Sequence, residues 1–310
     1  MIMYLLMGLT AAVVSYAATW GARVVGNRLE LHMPIRSRDM HSTPVSRLGG
    51  VAIFLGVLVA LIVASQSFFV KDIYRNNFSP WGVLAGAVVI VLVGVADDLL
   101  DIRWWVKLIG QSAAAFVVAI WGVRMTIVPW VPEPIYLENE MLRVVLTAGL
   151  IVTTMNAFNF IDGLDGLAAG VAIIGGTAFF FTAYWVHRNA VLLDYSDLAT
   201  LLTAVLVGSC IGFLPLLDQG LAVVRRTARG RSPWSADRGH LHHKLLDIGY
   251  SHRTVVVLMY LWTCVLSFGG LAFAVFPWQI VLSADIFATL VMGLVTAWPY
   301  LSRRSSEPAA

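Results

Sequence analysis

Residues 81–101 read Trp-Gly-Val-Leu-Ala-Gly-Ala-Val-Val-Ile-Val-Leu-Val-Gly-Val-Ala-Asp-Asp-Leu-Leu-Asp, so sixteen residues without a charge run straight into three carboxylates within five positions. An α-helix rises about 1.5 Å per residue, so with its flanks such a run reaches across a hydrocarbon core. Acids at the mouth of that run are expensive to place at a membrane boundary and call for a reason.

Outward from this stretch the pattern repeats. Of the 310 residues, 59% are hydrophobic and 13% charged, and the mean hydropathy is +0.80. A soluble domain carries about 25% charged residues. The excess of apolar side chains suits helices whose outer faces meet lipid. Apolar runs near 2–22, 48–64, 81–96, 106–123, 142–158, 166–186, 198–217, 254–276 and 278–300 predict an all-α polytopic integral membrane protein with about nine transmembrane helices. One membrane domain is expected over 1–300, followed by a disordered tail over 301–310. The first run lacks the basic start of a cleaved signal peptide.

Basic residues orient the bundle. With the N-terminus outside and the C-terminus cytoplasmic, only Lys71, Arg75, Arg124, Arg143 and Arg188 of the 21 basic residues fall outside. The net charge of +3 is then a topology signal beside anionic headgroups and needs no nucleic acid. Cys210 and Cys264 lie within apolar runs and read as packing residues. Asp285 is a costly carboxylate inside the last run, and no role follows for it from the sequence.

The inside connections carry the chemistry. In the first, Arg47 precedes Gly49-Gly50. Its planar donor fork suits a phosphate oxygen, but an anchor beside a tight turn is the plainer reading of that loop. In the second, Asp97 and Asp101 share a face if the helix continues, with Asp98 turned about 100° away. Hard oxygens at this spacing suit Mg²⁺, which takes one or two carboxylates plus substrate phosphates. Lys107 either neutralises phosphate or anchors the next span. In the third, Asn156, Asn159 and Asp162 fall near one helical stripe, and Asp162-Gly163 and Asp165-Gly166 then break the helix. The last inside loop, 218–253, is the longest and holds Asp237-Arg238-Gly239-His240-Leu241-His242-His243-Lys244. Histidines so spaced can ligate a metal, donate protons or bond a phosphate; with no cysteine nearby, phosphate contact and proton donation fit better than zinc.

In order and spacing, Pro44-Val-Ser-Arg-Leu-Gly-Gly50, Asp97-Asp98-Leu-Leu-Asp101, Asn156-Ala-Phe-Asn-Phe-Ile-Asp-Gly-Leu-Asp-Gly166 and Asp237-Arg-Gly-His-Leu-His-His-Lys-Leu245 resemble the motifs of the polyprenyl-phosphate N-acetylhexosamine-1-phosphate transferases, glycosyltransferase family 4. The His-Leu-His-His form looks like the bacterial undecaprenyl-phosphate N-acetylglucosamine branch. The resemblance implies a multi-pass enzyme of the bacterial plasma membrane with a cytoplasmic site. It would transfer sugar 1-phosphate from a UDP-sugar to undecaprenyl phosphate, release UMP, and serve cell-wall or surface polysaccharide synthesis.

By the same resemblance, Asp97, Asp98, Asp162 and Asp165 are the catalytic group, and Asp97, Asp98 and Asp162 hold Mg²⁺, with Mn²⁺ as the alternative ion. Arg47, Lys107, Asn156, Asn159, Arg238, His240, His242 and His243 contact substrate, and a homodimer is compatible with the family. One departure stands out. Members usually carry a Phe-Met-Gly-Asp-x-Gly-Ser segment and a further span after Gly-Phe-Leu, whereas Gly212-Phe213-Leu214 here runs straight into Pro215-Leu216-Leu217-Asp218. That pattern leaves a second expectation, a shortened relative that binds lipid or nucleotide without turnover.

Overall fold

A backbone in hydrocarbon finds no water to bond, so each long apolar run closes its hydrogen bonds within one helix. In the computed structural model these helices are α1 (Ile2–Arg28), α2 (Gly49–Gln66), α3 (Asp72–Arg75), α4 (Ser79–Leu100), α5 (Trp104–Trp121), α6 (Glu140–Ile161), α7 (Leu167–Asn189), α8 (His252–Val275) and α9 (Trp278–Arg304). The structure describes residues 1–28, 49–68, 72–75, 78–100, 102–128, 135–161, 166–189, 198–204, 206, 207, 210, 245, 246 and 249–304.

Among the described residues, eight helices are long and apolar enough to cross a membrane; the one-turn α3 is not. They correspond to eight of the nine expected spans. The remaining run, 198–217, is described at 198–204, 206, 207 and 210, and is helical there. The all-α reading needs one addition, the antiparallel pair β1 (Ile127–Val128) and β2 (Ile135–Tyr136), with Ile127 opposite Tyr136. Beside it Arg124 pairs with Glu140, and Arg143 donates to the Leu137 carbonyl. The last helix continues to Arg304, into the stretch expected as tail.

Lipid tails are as apolar as leucine, so such helices associate through close packing rather than through a hydrophobic drive. Small residues allow the approach. Ala60, Ala64 and Leu61 of α2 meet Tyr4, Met7 and Ala11 of α1, together with Phe180 of α7 and Leu201 and Ala204 of the 198–204 stretch. Ala115 and Ala119 of α5 meet Ala148 of α6. Leu167 of α7 and Val255 of α8 enclose Leu245. On the far side of α8, the Trp262 indole donates to Thr296 Oγ1 of α9 at 3.1 Å. The Asp285 carboxylate of α9 is seated against Gly269 of α8, in space that a Cβ there would need.

Candidate active site

The hairpin of α4 and α5 is set by glycines. A Cβ on Gly82 would overlap the Trp121 carbonyl, and one on Gly86 would overlap the Val118 side chain. Further along, Gly110 of α5 seats Val93 of α4 in the same way. The pairings keep one antiparallel register, 82 against 121, 86 against 118 and 93 against 110. Continued by one more turn, that register brings position 97 opposite position 107. Lys107 Nζ duly lies 2.8 Å from Asp97 Oδ2.

Helix α4 does not stop at Ala96, where the apolar run ends; it continues through Asp97 and Asp98 to Leu100. Both carboxylates are therefore held on a helical backbone, about 100° apart around its axis. The Asp97 and Lys107 side chains retain 27% and 31% of their surface. A pair that open stabilises the fold by about 1 kcal/mol or less, so its main effect is to fix where the carboxylate stands. Asp98 is partly buried beside it.

One turn beyond Lys107 on α5, Gln111 is buried, with 5% of its surface exposed. Its Oε1 accepts from Asn156 Nδ2 of α6 at 3.0 Å, and the same Asn156 nitrogen donates to the Val152 carbonyl at 2.9 Å. Asn159 follows three residues later, exposed in the last turn of α6. The Asn-rich end of α6 is thus tied to the α4–α5 hairpin through a residue that the sequence did not single out. Its signal was slight, a lone amide in an apolar run, four residues after Lys107.

Of the two Asp-Gly pairs at which a break is expected, only Gly166 is among the described residues, at a turn just before α7 starts at Leu167. Gly166 takes φ 80°, a left-handed conformation that glycine adopts without a Cβ penalty. The Tyr260 hydroxyl of α8 donates to the Gly166 carbonyl at 2.8 Å, and its ring occupies the space a Cβ at Gly170 would fill. Tyr250, Leu246 and Tyr260 pack on the Leu167, Leu245 and Val255 cluster. The last residues of two of the motifs, Gly166 with its neighbour Leu167 and Leu245, therefore meet against the first turns of α8. Nothing in the sequence marked Tyr260, whose partner is 94 positions away.

Of the candidate residues, Asp97, Asp98, Lys107, Asn156 and Asn159 are described. Arg47, Asp101, Asp162, Asp165, Arg238, His240, His242 and His243 lie outside the described residues. Among the described residues no group of three or more His, Cys, Asp or Glu could hold a metal ion. The described part of the site is a carboxylate pair, an ammonium, and a carboxamide pair one turn deeper. These are hard oxygen ligands and a cation, which suit a phosphorylated substrate better than a soft metal or a thiol chemistry.

Comparison with known proteins gives a consistent picture. The model of glycosyl transferase family 4 matches residues 80–216. The decaprenyl-phosphate N-acetylglucosaminephosphotransferase of Mycobacterium leprae is 32% identical, over 97% of this chain and 91% of its own length. Its Mycobacterium tuberculosis counterpart is 32% identical over 96% and 89%. A probable undecaprenyl-phosphate N-acetylglucosaminyl 1-phosphate transferase of Bacillus subtilis is 28% identical over 73% and 72%. The Mycobacterium leprae alignment is 364 positions long and this chain has 310 residues, so at least 54 positions (364 less 310) of that alignment have no residue from this chain.

Proposed function

The chain belongs to glycosyl transferase family 4, and from that premise we propose that it transfers N-acetylglucosamine 1-phosphate from a UDP-sugar to a polyprenyl phosphate in the membrane. The observation that carries this reading is a match over nearly the whole chain to enzymes named for that transfer, together with the carboxylates and the ammonium gathered at the α4–α5 mouth. In the reaction a phosphate oxygen of the lipid attacks the β-phosphorus of the UDP-sugar. A new P–O bond forms, the β-phosphorus-to-bridging-oxygen bond breaks, and the bridging oxygen leaves with UMP.

Two anions must approach for this to happen, and Lys107 supplies positive charge where they would meet. Lys107 also fixes Asp97, while Asp98 stands on the same helix turn. The donor set fits Mg²⁺, since adjacent carboxylates on a helix leave room for substrate phosphates to complete the ion's coordination. Asp97 and Asp98 would hold it, with Asp162 as the expected third ligand, and Mn²⁺ would substitute. Bound there, the ion would offset phosphate charge and polarise the phosphoryl oxygen. Asn156 and Asn159 would contact the sugar nucleotide, and Arg47, Arg238, His240, His242 and His243 the phosphates. The asymmetry of basic residues supports a cytoplasmic site in a bacterial plasma membrane.

The relatives at 32% identity are named for decaprenyl phosphate and the Bacillus subtilis one for undecaprenyl phosphate, so both carriers belong in the assay. The test is transfer of radiolabelled N-acetylglucosamine 1-phosphate by purified protein, with and without Mg²⁺. Labelled lipid and UMP are expected only with the metal, and Asp98→Asn should abolish them. Equal UMP from wild type and Asp98→Asn would sink the reading. One observation favours a second reading, a shortened relative that binds without turnover, namely the alignment positions for which this chain has no residue. Nucleotide or lipid binding with no labelled product would select it.

A further inference from the structure

A carboxamide can face either way, and which way decides what it recognises. The Val152 carbonyl only accepts, so the Asn156 group 2.9 Å from it must be the nitrogen. The same nitrogen stands 3.0 Å from the Gln111 amide, so Gln111 must offer its oxygen there. Chemistry alone therefore sets both orientations. Asn156 has two N–H groups, and these two acceptors engage them both. What remains free to turn toward a ligand is its carbonyl oxygen Oδ1. Gln111 itself has 5% of its surface exposed and sits one helical turn from Lys107, so its orientation is held by the α5–α6 interface rather than by solvent.

We propose that Gln111 is a positioning residue that makes Asn156 an acceptor-only group of the site, so that Asn156 receives an N–H or O–H donor of the sugar nucleotide and not a phosphate oxygen. The donor comes from the sugar hydroxyls, the acetamido group or the uracil imide, all of which share this chemistry. The inference rests on the sugar-nucleotide reading of this site and adds which atom of Asn156 serves it and what holds that atom in place. Without Gln111 the Asn156 amide would have one idle N–H and would be held by the Val152 carbonyl alone.

The test is a double-mutant cycle on the full chain in detergent, read as KM for UDP-N-acetylglucosamine, kcat and thermal midpoint. Gln111→Met keeps length and volume but removes the acceptor. It is expected to raise KM about five- to tenfold, the scale of one hydrogen bond, with kcat changed less than threefold. Gln111→Glu restores an acceptor oxygen and should recover most of the KM. Asn156→Leu should raise KM at least as far as Gln111→Met. The double variant should be no worse than Asn156→Leu, because Gln111 acts through Asn156. Additive losses, or a fall in thermal midpoint with KM unmoved, would overturn the inference. Should wild type lack turnover, equilibrium dialysis of UDP-N-acetylglucosamine replaces KM with the same order expected. Wild-type binding that is insensitive to Gln111 sinks this inference alone, whereas absence of wild-type binding sinks the reading of the site. Dialysis of UDP and of N-acetylglucosamine 1-phosphate, each on its own, distinguishes a uracil donor from a sugar donor.

Discussion

The Lys107 ammonium meets the Asp97 carboxylate at 2.8 Å, at the position dictated by the register that seats Gly82 against Trp121 at the opposite end of the same hairpin. Structure and function separate cleanly at this pair. Both side chains are partly exposed, so Lys107→Met should lower stability by about 1 kcal/mol or less. Transfer should nevertheless fall at least tenfold, the scale of one lost charge-assisted contact to the reacting phosphates. Labelled-lipid formation and the thermal midpoint, measured on one preparation, check this. Unchanged transfer would remove Lys107 from the site.

Gly82 lies fifteen residues before Asp97, about 22 Å along the helix. A Cβ at Gly82 must push α4 away from the Trp121 backbone, whereas Gly94 has nothing within 4 Å of that position. Gly82→Ala is therefore expected to cost about 1–3 kcal/mol, and Gly94→Ala to be neutral or slightly stabilising. The hairpin transmits the shift to the Asp97–Lys107 contact, so Gly82→Ala should also lose transfer activity. Full activity at a reduced thermal midpoint would show that the register tolerates the shift.

Tyr260 holds the Gly166 carbonyl at the entrance to α7. Tyr260→Phe removes that hydrogen bond and leaves the ring over Gly170, so stability should change by about 1 kcal/mol. Turnover should fall more than stability does, because the left-handed Gly166 immediately follows Asp165. Thermal unfolding beside kcat measures the difference. Equal small effects on both would assign Tyr260 to packing alone.

Tyr74, on α3 outside the spans, donates its hydroxyl to the Leu61 carbonyl at 3.0 Å and meets Trp81 edge-on, with ring centroids 5.5 Å apart. Burial pushes its pKa up from 10.0 to about 12. A raised pKa means that the folded state holds this proton longer than the unfolded chain does. The contribution is full below pH 10.0 and is lost as pH climbs through about 12. Thermal midpoints of wild type and Tyr74→Phe should therefore converge over that window. A constant gap between them would contradict the assignment.

Membrane embedding, the positions of the spans and the acids at the end of the third were legible in the chain because each is a local property. An apolar run is counted residue by residue, and a carboxylate beside it is costly wherever the rest of the protein lies. Helix ends were less legible. The α4 helix passes its apolar run by four residues and α9 reaches Arg304, since polar side chains end burial in lipid without ending backbone hydrogen bonding. Pairing across helices was not legible. Gln111 finds Asn156 at a separation of 45 residues, and Tyr260 finds Gly166 at 94. The linear order of residues determined what this protein is made to live in, where its helices run and which side chains are chemically expensive. Tertiary structure decided which of them meet and which way their amides turn, because helix register depends on glycine and alanine letting backbones approach, and that contact exists only once distant segments have packed.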